Sequence, residues 1–272
     1  MQQIIAFVSD FGLDDAWVGV CHAVMYRACP QVAIVDLSHQ VPPFDVRKGA
    51  AVTCAGVYQL PEAIHLAVVD PTVGGGRHDL CLVTAEGTRL VGPDNGVLMP
   101  ATELLGGVTE AFAISAGQVG SGRPLATFHA RDVLAPAAAA LACGVEPLAL
   151  GEPLDPAELV PGPFRLASTG PGGVKAEVID NDRFGSLRLS VPASKLAEFG
   201  LDAPRVEVAL GHHVLHMPLA VTFSDVAKGE PVALIDSSGW LTVAVNAGSA
   251  ADRYGVETGT VAHLRPLADG SR

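Results

Sequence analysis

Residues 67–78 of the chain read AVVDPTVGGGRH, and this stretch decides the fold prediction. An apolar run typical of a buried strand ends in Asp70, turns through a proline and three glycines, and places Arg77 seven residues later. Because ligands bind outside the carboxyl ends of strands in open α/β sheets, Asp70 and Arg77 are expected at the rim of a site. Another interpretation of the stretch, taken alone, is a strand ending in a turn with a surface ion pair.

The residues around this stretch alternate short apolar runs with amphipathic helical patterns. Strands are predicted at residues 4–8, 32–37 and 64–69, helices at 15–28 and near 46–57, and a hairpin at 80–84 and 89–91. A loop at 124–132 precedes an alanine-rich helix at 134–143 and is a further candidate site wall. This spacing predicts a Rossmann-like sheet flanked by helices.

The pattern changes after residue 147, where prolines and glycines crowd a segment of little periodicity. An N-terminal α/β domain is predicted at 1–160, a linker at 161–173 and a C-terminal β-barrel domain at 174–272. Turn signals at short intervals support the barrel. Its predicted strands span residues 174–179, 186–190, 205–210, 213–217, 232–236, 241–245 and 260–264.

Composition limits the partners and the compartment. The formal net charge of -12 argues against a nucleic acid or an anionic membrane and favours a small neutral or cationic ligand. The five cysteines form no CxxC pair, so buried thiols in a reducing compartment are expected, without a zinc or disulfide framework. The sequence opens directly into a strand pattern and holds no run of 18 apolar residues, so a cytoplasmic location is expected.

Three polar residues carry the candidate chemistry. A lone histidine such as His129 is more often structural, but with Asp70 and Arg77 it could hold and polarise a water molecule. Asp10 follows the first strand, where a carboxylate commonly accepts hydrogen bonds from ribose hydroxyls, although a helix-capping role is equally compatible. The glycines match neither a P-loop nor GxGxxG, so NAD or ATP chemistry is not expected. No cofactor and no metal are expected.

Eight short motifs along nearly the whole chain resemble the S-adenosyl-L-methionine (SAM) hydroxide adenosyltransferases. This family is the hydrolase branch of the superfamily that includes the SAM-dependent fluorinase and chlorinase. The motifs are SDFG at 9–12, HQVPPF at 39–44, VDP at 69–71, PDNG at 93–96, TFHARD at 127–132, DRFG at 182–185, SSGWL at 237–241 and AVNAGSA at 244–250.

The resemblance implies hydrolysis of SAM to adenosine and L-methionine by an activated water or hydroxide that attacks the ribose C5′. It implies a homotrimer with each site between the N-terminal domain of one subunit and the C-terminal domain of its neighbour. The family's catalytic triad falls on Asp70, Arg77 and His129. Its substrate-binding positions fall on Asp10 at the ribose hydroxyls, Phe44 and Phe223 as apolar walls, Asp182 and the Phe184-Gly185-Ser186 turn, Val245, Asn246 and Ala247 near adenine, and Asp15, Trp17 and Ser238 near methionine.

One departure from the family pattern concerns Ser186, which stands where the family usually has asparagine. A serine still offers one hydrogen-bond donor, so substrate binding is expected to weaken without being lost.

Three alternatives stay open at this point. A halogenase of the same superfamily is one, but the carboxylate and the histidine favour water over a halide. A metal-dependent hydrolase using His129, Asp70 and Asp132 is the second, although no paired metal-ligand spacing is present. The third is a non-catalytic nucleoside-binding protein, against which the three polar residues argue.

Overall fold

The computed structural model describes residues 3–119 and 125–267. The chain divides into two compact units, Met1–Pro163 and Phe164–Arg272. Within the described part of the chain, no helix is long and apolar enough to cross a membrane.

The first unit is built on a mixed sheet whose seven strands, within the described residues, run in the order β2-β1-β3-β5-β4-β6-β7. Strand β1 pairs parallel with β2 and β3, and β3 pairs parallel with β5, whereas β4 pairs antiparallel with β5 and β6. The Rossmann-like sheet and the hairpin are therefore confirmed. The strands are β1 (Ile4–Ser9), β2 (Ala33–Ser38), β3 (Ile64–Val68), β4 (Asp79–Thr84), β5 (Arg89–Pro93), β6 (Val108–Ile114) and β7 (Gly151–Leu154).

Helices flank this sheet, and their apolar sides fill its core. They are α1 (Trp17–Ala28), α2 (Val46–Gln59), α3 (Met99–Leu104), α4 (Ala116–Val119) and α5 (Ala135–Ala142). Helix α1 begins at Trp17, not at Asp15; its N-cap is Ala16, and no described side chain caps it. Helix α2 is capped by Asp45, which accepts a hydrogen bond from the Lys48 backbone N–H at 2.9 Å. The predicted helix at 134–143 is α5, preceded by a π-helical turn at Ala130–Leu134.

The cysteines correct one prediction. Cys29 and Cys143 form a disulfide, with their Cα atoms 5.8 Å apart, so the expectation of five free thiols was wrong. Both cysteines are C-caps, of α1 and α5 respectively. The packing of these two helices brings residues 114 positions apart in sequence together, and no local spacing reveals such a pair. Cys21, Cys54 and Cys81 are buried free thiols, as expected.

The second unit is a β-barrel, as predicted. Within the described residues, seven strands close into a ring because β9 and β10 pair with each other as well as with their other neighbours, and β8 extends from β9 outside the ring. Strand β8 falls within the segment 161–173. The strands are β8 (Ser168–Gly170), β9 (Gly173–Asn181), β10 (Leu187–Pro192), β11 (Arg205–Leu210), β12 (His213–Ala220), β13 (Pro231–Ile235), β14 (Trp240–Val245) and β15 (Val261–Leu267), with helix α6 (Ala250–Tyr254) before β15.

Candidate active site

A cavity of about 420 Å³ lies in the first unit beside the carboxyl ends of β1 and β3. It gathers five of the residues predicted for the site, which are Asp10, Trp17, Phe44, Asp70 and His129. Phe11, Val68, Val73, Thr127, Phe128 and Ala130 complete its lining. Carboxylates and an imidazole therefore face a largely apolar space, as a small-molecule site requires.

Four charged or titratable side chains form a continuous chain of hydrogen bonds. Arg77 donates from Nε to Asp70 Oδ2 at 2.9 Å and from Nη2 to the same oxygen. Arg77 also donates from Nη1 to Asp79 Oδ1, and the other oxygen of Asp79, Oδ2, lies 2.7 Å from His129 Nδ1. The predicted triad of Asp70, Arg77 and His129 is thus brought together, but Asp79 supplies the link to the histidine.

Asp79 is the site residue that the sequence analysis missed. It is the first residue of β4 and is buried, whereas the residue before it, His78, is exposed. A strand-opening aspartate next to a turn usually belongs to the surface, so sequence alone gave it no weight. Its position two residues after Arg77 was the available signal, because in an extended strand residues i and i+2 point to the same side.

The environment of Arg77 fixes its charge. Its side chain is only 8% exposed, and that of Asp70 only 5%. Burial alone lowers the pKa of Arg77, but hydrogen bonds and the negative charges of Asp70 and Asp79 outweigh burial and raise the pKa above its ordinary value. Arg77 therefore stays cationic and holds both carboxylates in fixed positions.

The contact with Asp79 determines which nitrogen of His129 can act as a base. When Nδ1–H donates to the Asp79 carboxylate, Nε2 keeps a lone pair that can accept a proton. His129 is the N-cap of the π-helical turn Ala130–Leu134, a type of distortion that is frequent at functional sites. The described part of the predicted loop wall, which begins at Leu125, carries this histidine; Pro124 lies outside the described residues.

Close packing of two loops positions the polar chain. Gly74 has φ +78°, and a Cβ there would lie 2.3 Å from the backbone oxygen of Ala126, so only glycine permits this approach. Asn95 of the PDNG motif donates from Nδ2 to the backbone oxygen of Val69 at 2.8 Å and so holds the residue before Asp70. The motif's amide is therefore structural.

Asp10 binds the backbone of the predicted apolar wall. Its Oδ2 accepts a hydrogen bond from the Phe44 N–H at 2.9 Å. Phe44 has φ +70°, a conformation that a phenylalanine rarely adopts, and its side chain is exposed. Strained backbone of this kind clusters at ligand sites, so this loop conformation fits a role in binding.

An aromatic cluster forms another wall of the cavity. The Phe11 ring lies edge-on to Trp17, with centroids 6.1 Å apart, and to Phe128, with centroids 5.9 Å apart. Asp15, predicted near the methionine end, is exposed and is not among the described residues that line the cavity.

The remaining predicted positions lie in the second unit, starting with the DRFG turn. Asp182 Oδ1 accepts hydrogen bonds from the backbone N–H groups of Phe184 at 2.8 Å and Ser186 at 2.9 Å. Gly185 has φ +79°, and a Cβ there would lie 2.0 Å from Ser249 Oγ. Asp182 therefore shapes the turn, which presents the exposed Phe184 ring beside the buried Ser186.

Ser238 is held by charged residues that the sequence analysis did not single out. Its N–H donates to Asp236 Oδ1 at 2.8 Å, while Arg188 donates from Nε to Asp236 Oδ2 at 2.5 Å and from Nη1 to Asp180 Oδ2 at 2.9 Å. Burial lowers the pKa of Arg188, but the two aspartates raise it more. An arginine between two carboxylates thus stabilises this turn, as in the first unit.

The other second-unit positions lie on two short turns. Phe223 is exposed and opens a 3-10 helix, Phe223–Asp225. Val245 ends β14, and the amide of Asn246 donates to the backbone oxygen of Val226 at 2.8 Å. Ala247 has φ +55°, so the chain turns sharply here, and the predicted contacts with adenine would come from backbone and apolar groups.

Comparison with known proteins agrees with this arrangement. Models of the SAM hydroxide adenosyltransferase N-terminal and C-terminal domains match residues 5–151 and 176–263. A protein of Salinispora tropica named (R)-S-adenosyl-L-methionine hydrolase is 42% identical over 257 residues, covering 94% of this chain and 95% of that protein.

More distant relatives extend the same picture. A fluorinase of an Actinoplanes species is 31% identical over 284 residues, covering 94% of this chain and 95% of that enzyme. The crystal structure of an uncharacterized conserved protein from Thermotoga maritima superposes with a TM-score of 0.85 at 32% identity, covering 96% of this chain and 100% of that one. With both domain models matched in order along most of its length, the chain belongs to the SAM hydroxide adenosyltransferase family.

Proposed function

We propose that the protein hydrolyses SAM to adenosine and L-methionine, by attack of a water-derived oxygen on the ribose C5′. The observation that carries the proposal is the chain of hydrogen bonds from Asp70 through Arg77 and Asp79 to His129, at the wall of an apolar cavity. The name of the Salinispora tropica relative describes the same reaction class.

The leaving group of the proposed reaction needs little assistance from the protein. A sulfonium departs as neutral methionine, so no general acid is needed; the site must exclude bulk water, align the substrate and supply an oxygen nucleophile. His129 Nε2 accepts the proton of the attacking water, and Asp79 stabilises the imidazolium that forms. Asp70, fixed by Arg77, orients the same water. Asp10 holds the ribose hydroxyls through its remaining oxygen.

A halide nucleophile suits this site less well. The Asp70 side chain is buried, and a carboxylate at a cavity wall repels a desolvated chloride or fluoride. The metal-dependent hydrolase also loses support, because both oxygens of Asp132 accept from Arg131, at 2.6 Å and 2.8 Å. A ligand set of His129, Asp70 and Asp132 would have to break that pair.

The test of the proposed function is product analysis. Purified protein incubated with SAM should release adenosine and methionine in equal amounts, with the same rate after exhaustive chelation. His129→Ala, prepared in the same way, serves as the control for contaminating enzymes. Formation of 5′-chloro-5′-deoxyadenosine in high chloride would move the protein to the halogenase branch, and no turnover with tight adenosine binding would favour a nucleoside-binding protein.

We also propose a homotrimer with each site shared between two subunits, because the predicted substrate-binding residues divide between the two units. Subunit complementation tests this. Asp70→Asn and Asp182→Ala chains, each inactive alone, should recover about one quarter of wild-type activity when unfolded and refolded together, because one site in four then combines two intact halves. No recovery, or a fully active monomer in light scattering, would contradict shared sites.

The cytoplasmic location stays a proposal. The disulfide between Cys29 and Cys143 removes one of its premises, since such bonds are rare in reducing compartments. Trapping thiols at the moment of cell lysis would test it. Reduced Cys29 and Cys143 support the cytoplasm, and an oxidised pair argues for an oxidising compartment.

A further inference from the structure

Two histidines and an aspartate meet at the β2 edge of the first unit's sheet. His22 lies on α1, Asp36 on β2 and His39 just after β2. Nε2 of His22 and Nε2 of His39 each lie 2.9 Å from the same oxygen, Asp36 Oδ1. These three atoms all lie within 4.8 Å of one another, and none of the three residues belongs to the described lining of the cavity.

The state of His39 shows that the cluster is more than a surface ion pair. His39 is only 4% exposed, and among the described residues its Nε2 has no hydrogen-bond partner, although Asp36 Oδ1 lies 2.9 Å away. A buried polar atom without a partner is costly and needs an explanation. Nδ1 of the same ring lies 2.7 Å from Ser9 Oγ. With the proton on Nδ1, the Nε2 lone pair points into the cluster.

We propose that His22, Asp36 and His39 bind a divalent transition metal ion, with Zn²⁺ as the probe. Two imidazoles and one carboxylate are a common ligand set for such ions. Two tetrahedral ligands about 2.1 Å from an ion lie about 3.4 Å apart, so an ion fits here once the two separations of 2.9 Å open by about 0.5 Å. Ser9 supplies the outer hydrogen bond that fixes the tautomer of a metal-binding histidine.

The surroundings leave a route for the ion and for water ligands. The Asp36 side chain is 40% exposed and that of His22 is 25% exposed, so one side of the cluster faces solvent while His39 closes the other. The net charge of the ligand set is negative, as a dication requires.

The position of the cluster, close to the loop that carries Asp10, suggests a structural role for the bound ion. The His39 backbone oxygen accepts a hydrogen bond from the Gly12 N–H at 2.7 Å, and Ser9 is the residue before Asp10. An ion held by His39 therefore braces the loop that carries Asp10. The proposed metal site does not depend on the proposed hydrolysis of SAM. Only the link between the bound ion and substrate binding rests on the proposed function.

Metal binding is measured on tag-free protein that has been stripped by a chelator and dialysed against Zn²⁺. Elemental analysis should find about one zinc per chain, and a competing chromogenic chelator gives the Kd. His22→Ala and Asp36→Asn should each weaken binding at least about 10-fold. These residues are partly exposed, so both variants are expected to fold, which circular dichroism checks. His216→Ala, which removes the histidine of a His–Glu pair in the second unit, is the matched control and should bind as wild type does.

A second readout is independent of activity. Zn²⁺ at about 100 times the wild-type Kd should raise the Tm of wild-type protein by about 5 °C and the Tm of His22→Ala by about half as much or less. The cluster is not a metal site if wild-type protein retains less than about 0.1 zinc per chain, or if His22→Ala and Asp36→Asn bind zinc as tightly as wild type.

Discussion

Asp79→Asn removes the negative charge that joins Arg77 to His129 while keeping the shape of the side chain. Asp79 Oδ2 lies 2.7 Å from His129 Nδ1, and the Asp79 side chain is only 8% exposed, so water cannot replace the lost contact. The imidazolium that forms during proton transfer loses its counter-ion, and an amide NH₂ turned toward Nδ1 would stabilise the wrong tautomer. We expect turnover to fall about 10² to 10⁴-fold, which corresponds to about 3 to 5 kcal/mol in the barrier.

The assay is single-turnover formation of adenosine, with the Kd of adenosine measured in parallel. That Kd should change by less than about 3-fold, because Asp79 does not line the cavity among the described residues. Asp70→Asn and His129→Ala should fall in the same range. Glu207→Gln, which alters a histidine–carboxylate pair of the second unit, should leave turnover unchanged. A turnover within about 5-fold of wild type for Asp79→Asn would refute the role assigned to this carboxylate.

Three further predictions concern binding and stability. Asp10→Ala should weaken adenosine binding about 10 to 100-fold and lower the single-turnover rate by a smaller factor. Asp14 is exposed, so Asp14→Ala should change neither the affinity nor the rate. Calorimetry measures adenosine binding by both variants, and the single-turnover assay measures their rates. Burial lowers the pKa of His65 from 6.5 to about 4, so the unfolded chain takes up a proton that the fold excludes. Stability should be full above pH 6.5 and fall by about 3 kcal/mol toward pH 4, and urea unfolding of His65→Gln should show a flatter profile. Reduction of the disulfide between Cys29 and Cys143, which spans 114 residues, should lower the free energy of unfolding by about 2 to 4 kcal/mol and lower the Tm. A reductant should not change the Tm of the double variant Cys29→Ser/Cys143→Ser.

The sequence predicted the part of the site that follows from strand order. Asp70 and Asp10 come directly after the apolar runs of β3 and β1, and parallel neighbours place their carboxyl ends at one edge of the sheet. Arg77 was predicted at the same site because only a glycine-rich turn separates it from Asp70 in the sequence. The seven strands of the ring were predicted from the sequence pattern and turn spacing, with bounds that differ by up to three residues, whereas β8 lies in the segment predicted to be a linker and was missed.

Other features depend on tertiary packing and had no local signal. Asp79 gains its role from a histidine 50 residues away, and the disulfide depends on the packing of α1 against α5. Asn246 was predicted near adenine from its motif, but only the fold shows that its amide binds the Val226 backbone oxygen. Short-range patterns report which residues end a strand, whereas hydrogen-bond partners far apart in sequence need coordinates.

The identity of the attacking atom tests the central claim most directly. In a single turnover in ¹⁸O-water, the account predicts adenosine labelled at its 5′-hydroxyl and unlabelled methionine, because a water held near Asp70 and His129 attacks C5′ itself. A route in which a protein carboxylate attacks first, followed by hydrolysis of the ester at its carbonyl, would place an enzyme oxygen in the product. Unlabelled adenosine from that single turnover would contradict direct attack by water.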